Sequence, residues 1–474
     1  MPAIAQKHAV TNPSTLEHVG EVEFSSRQDV EREIMHAHEA FAKWRSTPFA
    51  ERAAILRKTA ESLRKFKAEI AATLTREQGK PLKEAVIEVE RTADTFDLYS
   101  SDDIGTLVDS AMSSRARSRD SDYVPGKFSE IVRRPLGACA AIVPWNFPLT
   151  LMANKLVPAL ATGNTVVVKP APTTPLAAQR CIELLYEAGL PEGVVGIVIG
   201  GADTGAALIE HPLIRKVSFT GSTATGKAIM ALAAKGLKRL TLELGGNDAM
   251  IVCEDADVVS AARAAAVGRF FNAGQACIAT KRIYVHRSKY DEFVARVSER
   301  AAKLPVGDGF DPNVRMGPLH SQPQRESVEG FVRDALERGA KAAAGAKRPD
   351  SKGYFFEPTV LVDVPDNARL IREECFGPVL PVMAFDSIDE AFARANSTVF
   401  GLGSSIWTSD VALQERAVRE LDAGYTWIND IATDYDRLPF GGVKESGFGK
   451  ERGTEVLNEY LELKSVVAGG AGHG

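Results

Sequence analysis

From residue 137 onward the chain repeatedly follows a short apolar run with a helical one. "ACAAIVP" opens the series, "TVVVKP" precedes "PLAAQRCIELLYEAG", "VGIVI" precedes "GADTGAALIE", and "KVSFTG" precedes "TATGKAIMALAAKG". Strand-length apolar runs alternating with amphipathic ones predict βαβ units, and hence a parallel sheet with helices on its faces. After "LELGGNDAMIV" the alternation continues with longer helical runs, including "YDEFVARVSERAAKL" and "QPQRESVEGFVRDALERGA", which predicts a second α/β domain over residues 244–440. Upstream, Val30, Ile34, Ala37, Phe41 and Trp44, then Leu56, Ala60, Leu63, Phe66 and Ile70, recur at helical spacing until "QGKP". Residues 27–78 are therefore expected to be helical. The weakly periodic segment 112–135 reads as a protruding hairpin, and the strand-like tail "EYLELKSVV" as an exposed strand seeking a partner.

At 474 residues the chain is too long for one core, so two or three domains are expected. A net charge of −5 argues against a nucleic-acid partner, which requires clustered surplus Lys and Arg. The first residues, "MPAIAQKHAVTNPSTLEHVG", lack the apolar segment of a secretion signal, and no apolar stretch is long enough to span a membrane, so the expected location is cytoplasmic. Cys139, Cys181, Cys253, Cys277 and Cys375 form no C-x-x-C pair and are odd in number, which fits reduced thiols better than disulfides or a zinc site. No metal is expected.

The stretch "FTGSTATGKA" at 219–228 fits G-x-x-x-x-G-K-[ST] except at its end, where Ala228 replaces the hydroxyl residue that holds magnesium in triphosphatases. Strand, glycine turn and helix in succession still suit an anion, because helix N-terminal amides and the helix dipole favour one. No G-x-G-x-x-G lies in a strand-to-helix context, and no G-x-S-x-G elbow occurs for an α/β serine hydrolase.

Three further stretches, "VPWNFP" at 143–148, "LELGG" at 242–246 and "FFNAGQACIATKR" at 270–282, together with the glycine loop closely resemble the aldehyde dehydrogenase superfamily. The likeness runs through "NPST", "EQGKPL", "KP" at 169, "EECFGPV" at 373 and "PFGGVKESGFG" at 439, in the family's order. It implies an α/β fold: a Rossmann-like dinucleotide-binding domain (1–114, 137–243 and 441–460), a catalytic domain (244–440) and a small β oligomerisation element (115–136 and 461–474), with a homodimer or homotetramer as the assembly. By the same resemblance Cys277 is the nucleophile, Asn146 the oxyanion donor and Glu243 the base.

Those residue types suit the chemistry. An aldehyde gives up hydride readily only after a nucleophile has made a tetrahedral alkoxide, and a thiolate is the best side chain for that addition. The Asn146 amide and the Cys277 N–H would hold the oxyanion, each donor contributing roughly 3 kcal/mol. Once hydride has left for the nicotinamide, a thioester remains on Cys277, and a carboxylate such as Glu243 would activate the water that hydrolyses it. Relatives that pass the acyl group to coenzyme A typically lack this glutamate, so a free acid is the expected product. A non-catalytic structural protein of the same fold is disfavoured by the three residues occurring together.

The resemblance also assigns the coenzyme, NAD or NADP, to Trp145, Lys169, Gly221, Ser222, Gly226, Glu374 and Phe376, and leaves Lys227 at the surface. NAD-preferring relatives often carry K-P-x-E, whereas here "KPAP" puts Pro172 where the glutamate would bind the ribose diol. Proline has no charge to repel a 2′-phosphate, so NADP is expected to be at least tolerated. Phe147, Asn154, Ala276, Ile278, Asp434 and Phe440 are the expected lining of the aldehyde pocket. The loop "WINDIATDYDRL" carries Asp430, Asp434 and Asp436 against Arg437, and carboxylates at a narrow mouth would favour neutral, aromatic or amine-bearing aldehydes over succinate semialdehyde.

Overall fold

The computed structural model describes residues 7–113, 127–431 and 437–469. Most of the apolar runs become strands of two large sheets. In the first, the order is Gly447–Phe448, Arg239–Glu243, Ile214–Thr220, Ala138–Ile142, Thr165–Lys169, Val195–Ile197, all parallel except the antiparallel edge strand Gly447–Phe448. Ala138–Ile142 and Thr165–Lys169 are buried throughout, which is why they read as continuous apolar runs. Cys139 and Ala141 pack on one face with the helices around Leu56, Phe96 and Leu156, while Ala138, Ala140 and Ile142 pack on the other with Ile34, Leu208 and Ile229. The strand alternation thus fills two cores at once.

Strand order reverses between Ala138–Ile142 and Ile214–Thr220, where Ile142 pairs with Phe219. In open α/β sheets the crevice beyond the carboxyl ends at such a reversal is where ligands bind. Trp145 and Asn146 follow one strand there, and Gly221 and Ser222 follow the other.

The second sheet runs Lys341–Ala344, Thr359–Val362, Val379–Phe385, Arg282–His286, Ala249–Val252, Gly403–Trp407, Tyr425–Ile428, with only Lys341–Ala344 antiparallel. Its own core gathers Met250, Ile283, Val285, Phe293 and Val382 among others, all essentially inaccessible to solvent.

The helical stretch 27–78 divides into Arg27–Trp44, Phe49–Lys65 and Lys67–Gln78. Ser26 and Asp29 form a capping box at the first start, Pro48 precedes the second helix, and Gly79 at φ 99° ends the third in the left-handed cap that glycine favours. Two further helices, Leu82–Tyr99 and Asp102–Ser113, follow. Within segment 112–135 the strand Lys127–Pro135 pairs antiparallel with the distant Leu461–Gly469 along its whole length; residues 114–126, on which the hairpin expectation also rests, lie outside the described ones.

Candidate active site

The candidate residues sit where the carboxyl ends of the first sheet meet the amino ends of the second. Asn146 follows Ala138–Ile142, and Glu243 is the last residue of Arg239–Glu243. Cys277 lies in the loop that enters Arg282–His286, and Glu374 in the segment that enters Val379–Phe385.

The loop before Cys277 takes an uncommon backbone path. Asn272, Ala273 and Gly274 are consecutively left-handed, at φ 47°, 53° and 72°. Ala273 in that region costs about 1–2 kcal/mol, while asparagine and glycine tolerate it better. A side chain on Gly274 would stand 2.3 Å from the Gly377 carbonyl oxygen, so only glycine fits. Surrounding bonds hold the path: the Asn272 N–H donates to Glu84 Oε2 at 2.9 Å, its amide donates to the Asn146 and Gln275 carbonyls at 3.2 and 3.3 Å, and Gln275 Nε2 returns a bond to the Asn272 carbonyl at 3.0 Å. Asn146 is buried, and its Nδ2 donates to the Gln275 carbonyl at 3.0 Å, which ties this amide to the Cys277 loop.

Lys80 fixes the other side of Asn146. Its ammonium is fully buried, pairs with Glu88 and donates to the Asn146 carbonyl at 2.7 Å. Glu88 in turn accepts from the Leu149 N–H at 2.9 Å, at the start of helix Pro148–Ala161, where the dipole favours an anion. Lys80→Met strands that carboxylate without its counter-ion, so we expect a loss of about 3–5 kcal/mol in unfolding free energy. Urea unfolding checks this; a loss under about 1 kcal/mol would place the pair among those of surface strength.

Cys277 is half-buried, whereas Cys139, Cys181, Cys253 and Cys375 are buried. Burial and the nearby Glu243 hold its thiol pKa well above the ordinary value, with Lys281 acting in the opposite sense. Glu243 is buried, and neither carboxylate oxygen has a well-formed hydrogen bond from a described residue, although the Cys277 thiol is close enough to influence its proton. Burial, then the charge of Glu451, raise the Glu243 pKa to about 8. Behind it Lys155 pairs with Glu451 at 2.5 Å and donates to Thr220 Oγ1 at 2.6 Å. A thiol and a desolvated carboxylate so placed can exchange a proton near neutral pH.

The proposed coenzyme residues form a second group. Ser222 caps helix Thr223–Ala234, its Oγ accepting from the Thr225 N–H. A side chain on Gly221 would strike the Phe219 ring and one on Gly226 would strike Leu244, so both glycines have packing reasons as well. Lys227 is exposed and pairs with Glu445. Lys169 ends its strand buried, with only a 3.5 Å contact to the Pro170 carbonyl, and burial lowers its pKa to about 8. A desolvated ammonium without a counter-ion among the described residues, at the carboxyl end of a strand next to the sheet's reversal point, fits an anionic dinucleotide. Pro172 is half-buried in the turn after Lys169. Trp145 stacks on His320 at 4.5 Å and meets the edge of Phe376 at 5.7 Å. His320 had no signal in the sequence; its burial drives its pKa to about 4, so the ring is neutral at physiological pH.

Of the expected pocket residues, Phe147 stacks on Phe271 at 6.0 Å, with the Lys80 ammonium over its ring at 3.9 Å. Ala276 is buried and Ile278 half-buried on either side of Cys277. Asn154 is buried within helix Pro148–Ala161, and its Nδ2 has no partner among the described residues. Phe440 is buried against Tyr425 and Arg452, and its backbone bridges to Glu451. Asp434 and Asp436 lie outside the described residues, and Asp430 accepts from the Ile431 N–H at 2.8 Å. Among the described residues no His, Cys, Asp and Glu cluster could hold a metal ion, and no helix is long and apolar enough to cross a membrane.

Comparison with known proteins bears on the same architecture. The profile of the Aldehyde dehydrogenase family matches residues 2–466. A mitochondrial aldehyde dehydrogenase of Leishmania tarentolae is 40% identical over 471 residues, spanning 98% of this chain and 92% of that protein. A mitochondrial succinate-semialdehyde dehydrogenase of Arabidopsis thaliana is 39% identical over 97% of this chain and 86% of its own length. The crystal structure of betaine aldehyde dehydrogenase from Staphylococcus aureus in complex with NAD+ superposes with a TM-score of 0.93 at 35% identity, covering 98% of this chain and 92% of that one.

Proposed function

The chain belongs to the aldehyde dehydrogenase family and is an NAD(P)-dependent aldehyde oxidoreductase; on that premise we propose that it oxidises a neutral, aromatic or amine-bearing aldehyde to the free acid through an acyl group carried on Cys277. The observation that carries the reading is the pairing of a half-buried thiol with a buried carboxylate that lacks a conventional partner, Cys277 beside Glu243, in a loop tied to the Asn146 amide.

Cys277 yields its proton toward Glu243 and adds through sulfur to the aldehyde carbon, making a tetrahedral alkoxide. Asn146 Nδ2 and the Cys277 N–H receive the negative oxygen. When bound, NAD(P) supplies the hydride acceptor. Lys169, Ser222 and the helix start at Thr223 would hold its phosphate-bearing half, Glu374 its nicotinamide ribose, and Trp145 and Phe376 would flank it. Once the proton taken from Cys277 has left Glu243 for solvent, the carboxylate draws a second one from water, and the hydroxide equivalent displaces the acyl group as a carboxylic acid while sulfur leaves as thiolate.

Pro172 supports use of NADP, since nothing at that position repels a 2′-phosphate. The preference for uncharged or cationic aldehydes rests on the acidic sequence 430–436. A second reading, oxidation of a succinate-semialdehyde type of substrate, draws support from the identity to a relative of that name. We further propose a cytoplasmic homodimer or homotetramer assembled through the ribbon of Lys127–Pro135 and Leu461–Gly469, where Ile131, Leu463 and Val467 are 48%, 66% and 67% exposed.

Initial rates with aliphatic, aromatic, amino- and carboxy-aldehydes, each with NAD and with NADP, separate these readings. Turnover with both coenzymes is expected, with kcat/KM for neutral or amino-aldehydes above that for succinate semialdehyde. Turnover with NAD alone would remove the Pro172 argument, and succinate semialdehyde as the best substrate would install the second reading.

A further inference from the structure

Lys281 belongs to none of the roles assigned above, and its surroundings are unusual for a lysine. It is 2% exposed, and its ammonium meets three acceptors: Glu374 Oε1 at 3.0 Å, the Ala276 carbonyl at 3.2 Å, and the Cys277 carbonyl. Three donors on three acceptors leave this ammonium satisfied without solvent. The same Glu374 oxygen accepts from the Gly246 N–H at 3.1 Å. One cation therefore joins the Cys277 loop, the segment after Glu243 and the segment before Val379.

We propose that Lys281 is a positioning residue for the oxidation, holding the two peptides that flank Cys277 so that its N–H faces the oxyanion and placing a positive charge toward its sulfur. The inference rests on the reading of Cys277 as nucleophile. Its geometry follows from the planar trans peptide, in which C=O and N–H point in opposite directions. With the Ala276 carbonyl drawn onto the ammonium, the Cys277 N–H of the same peptide points away from Lys281. The bond to the Cys277 carbonyl fixes the next peptide in the same way, so the nucleophile is held on both sides.

The second half of the role is electrostatic. The charged groups that face the Cys277 sulfur are Glu243, Glu374 and Lys281; Asp248 and Cys375 face Lys281 from the neighbouring segments. Two of the three around sulfur are carboxylates that favour the thiol, and Lys281 alone among them favours the thiolate. Glu374 shares its negative charge between Lys281 and the Gly246 N–H. A coenzyme ribose that engages Glu374 draws the carboxylate into new bonds and leaves more of the Lys281 charge for the sulfur, which couples coenzyme binding to thiol activation.

The test uses the full-length, coenzyme-free protein and the pH dependence of alkylation by iodoacetamide, with Cys277→Ser identifying the reactive thiol. The other four cysteines are buried, so one thiol is expected to dominate. In Lys281→Met the alkylation midpoint is expected to rise by about one pH unit or more, the size of effect a lost neighbouring charge produces. Glu374→Gln should move it down. On aldehyde oxidation, Lys281→Met should lower kcat by about tenfold to a hundredfold with a smaller change in the aldehyde KM, as for a weakened oxyanion donor. Lys281→Gln, which removes the charge with a shorter side chain, carries the same expectation should the methionine variant not fold. An unchanged alkylation midpoint in a folded variant overturns the proposal. Absence of aldehyde turnover in the wild-type protein, with the midpoint still shifting in the variant, overturns the functional reading and leaves the charge effect of Lys281 on the sulfur standing.

Discussion

Cys277→Ala is expected to end aldehyde-dependent coenzyme reduction, lowering kcat by about 10⁴-fold or more, the scale on which loss of a covalent nucleophile acts. Asn146 and Glu243 remain in the variant, but without sulfur no tetrahedral adduct forms, and a free aldehyde is a poor hydride donor. Coenzyme binding should survive, because Lys169, Ser222 and Trp145 stand on other segments. Quenching of tryptophan fluorescence by NAD and by NADP, beside rates at 340 nm, separates the two effects. Residual turnover within about tenfold of wild type, far below the loss expected for a covalent nucleophile, would sink the assignment. The substitution removes little volume from a half-buried site, so the fold should be unaffected and the loss attributable to chemistry.

Glu243→Gln should lower steady-state kcat by about 10²–10⁴-fold, the usual contribution of a positioned base. It should also change the shape of the pH profile. The carboxyl titrates at about 8 because it is buried and faces Glu451, so below that pH it carries a proton and cannot serve as base. Wild-type kcat is therefore expected to rise with pH through a midpoint near 8, and the glutamine variant to lack that limb. The stability effect has a fixed sign: the folded pKa lies above the unfolded one, so the folded state keeps its proton longer, and stability falls as pH rises from the unfolded pKa to about 8. Glu243→Gln removes that dependence and should flatten the unfolding profile between the unfolded carboxyl pKa and about 8. A variant that keeps the wild-type limb at the same midpoint would assign the limb to another group.

Parallel α/β architecture was legible because its central strands are buried on both faces and stand out as short apolar runs, as in "TVVVK". Asn146, Glu243 and Cys277 were legible through motif order, and they lie on segments that meet at the junction of the sheets. Lys80, Lys155 and Lys281 were not. A lysine read from sequence belongs at the surface, and the partners that bury the first two, Glu88 and Glu451, declare themselves only in the folded chain. Helix Leu82–Tyr99 was obscured for a related reason: its buried face carries Glu84, Glu88 and Thr92 among the apolar residues, which weakens the hydrophobic period. The joining of Lys127–Pro135 to Leu461–Gly469 was legible only through the family resemblance, because the two partners lie at opposite ends of the chain.

The edge strand Gly447–Phe448 has a bearing on how the protein is made. It pairs antiparallel with Arg239–Glu243, setting Gly447 opposite Glu243, and nearby Glu451 reaches Lys155 on helix Pro148–Ala161. Synthesis runs from the amino end, so a ribosome that has just released residue 430 has already supplied Asn146, Glu243, Cys277 and Glu374. It has not yet supplied the strand that lies against Glu243 or the Glu451 carboxylate that adds to the effect of burial on the Glu243 pKa. Residues 447–451 thus complete the surroundings of Glu243 only after the other candidate residues have been made, and a chain without them would hold Glu243 with neither its edge strand nor the Lys155–Glu451 pair.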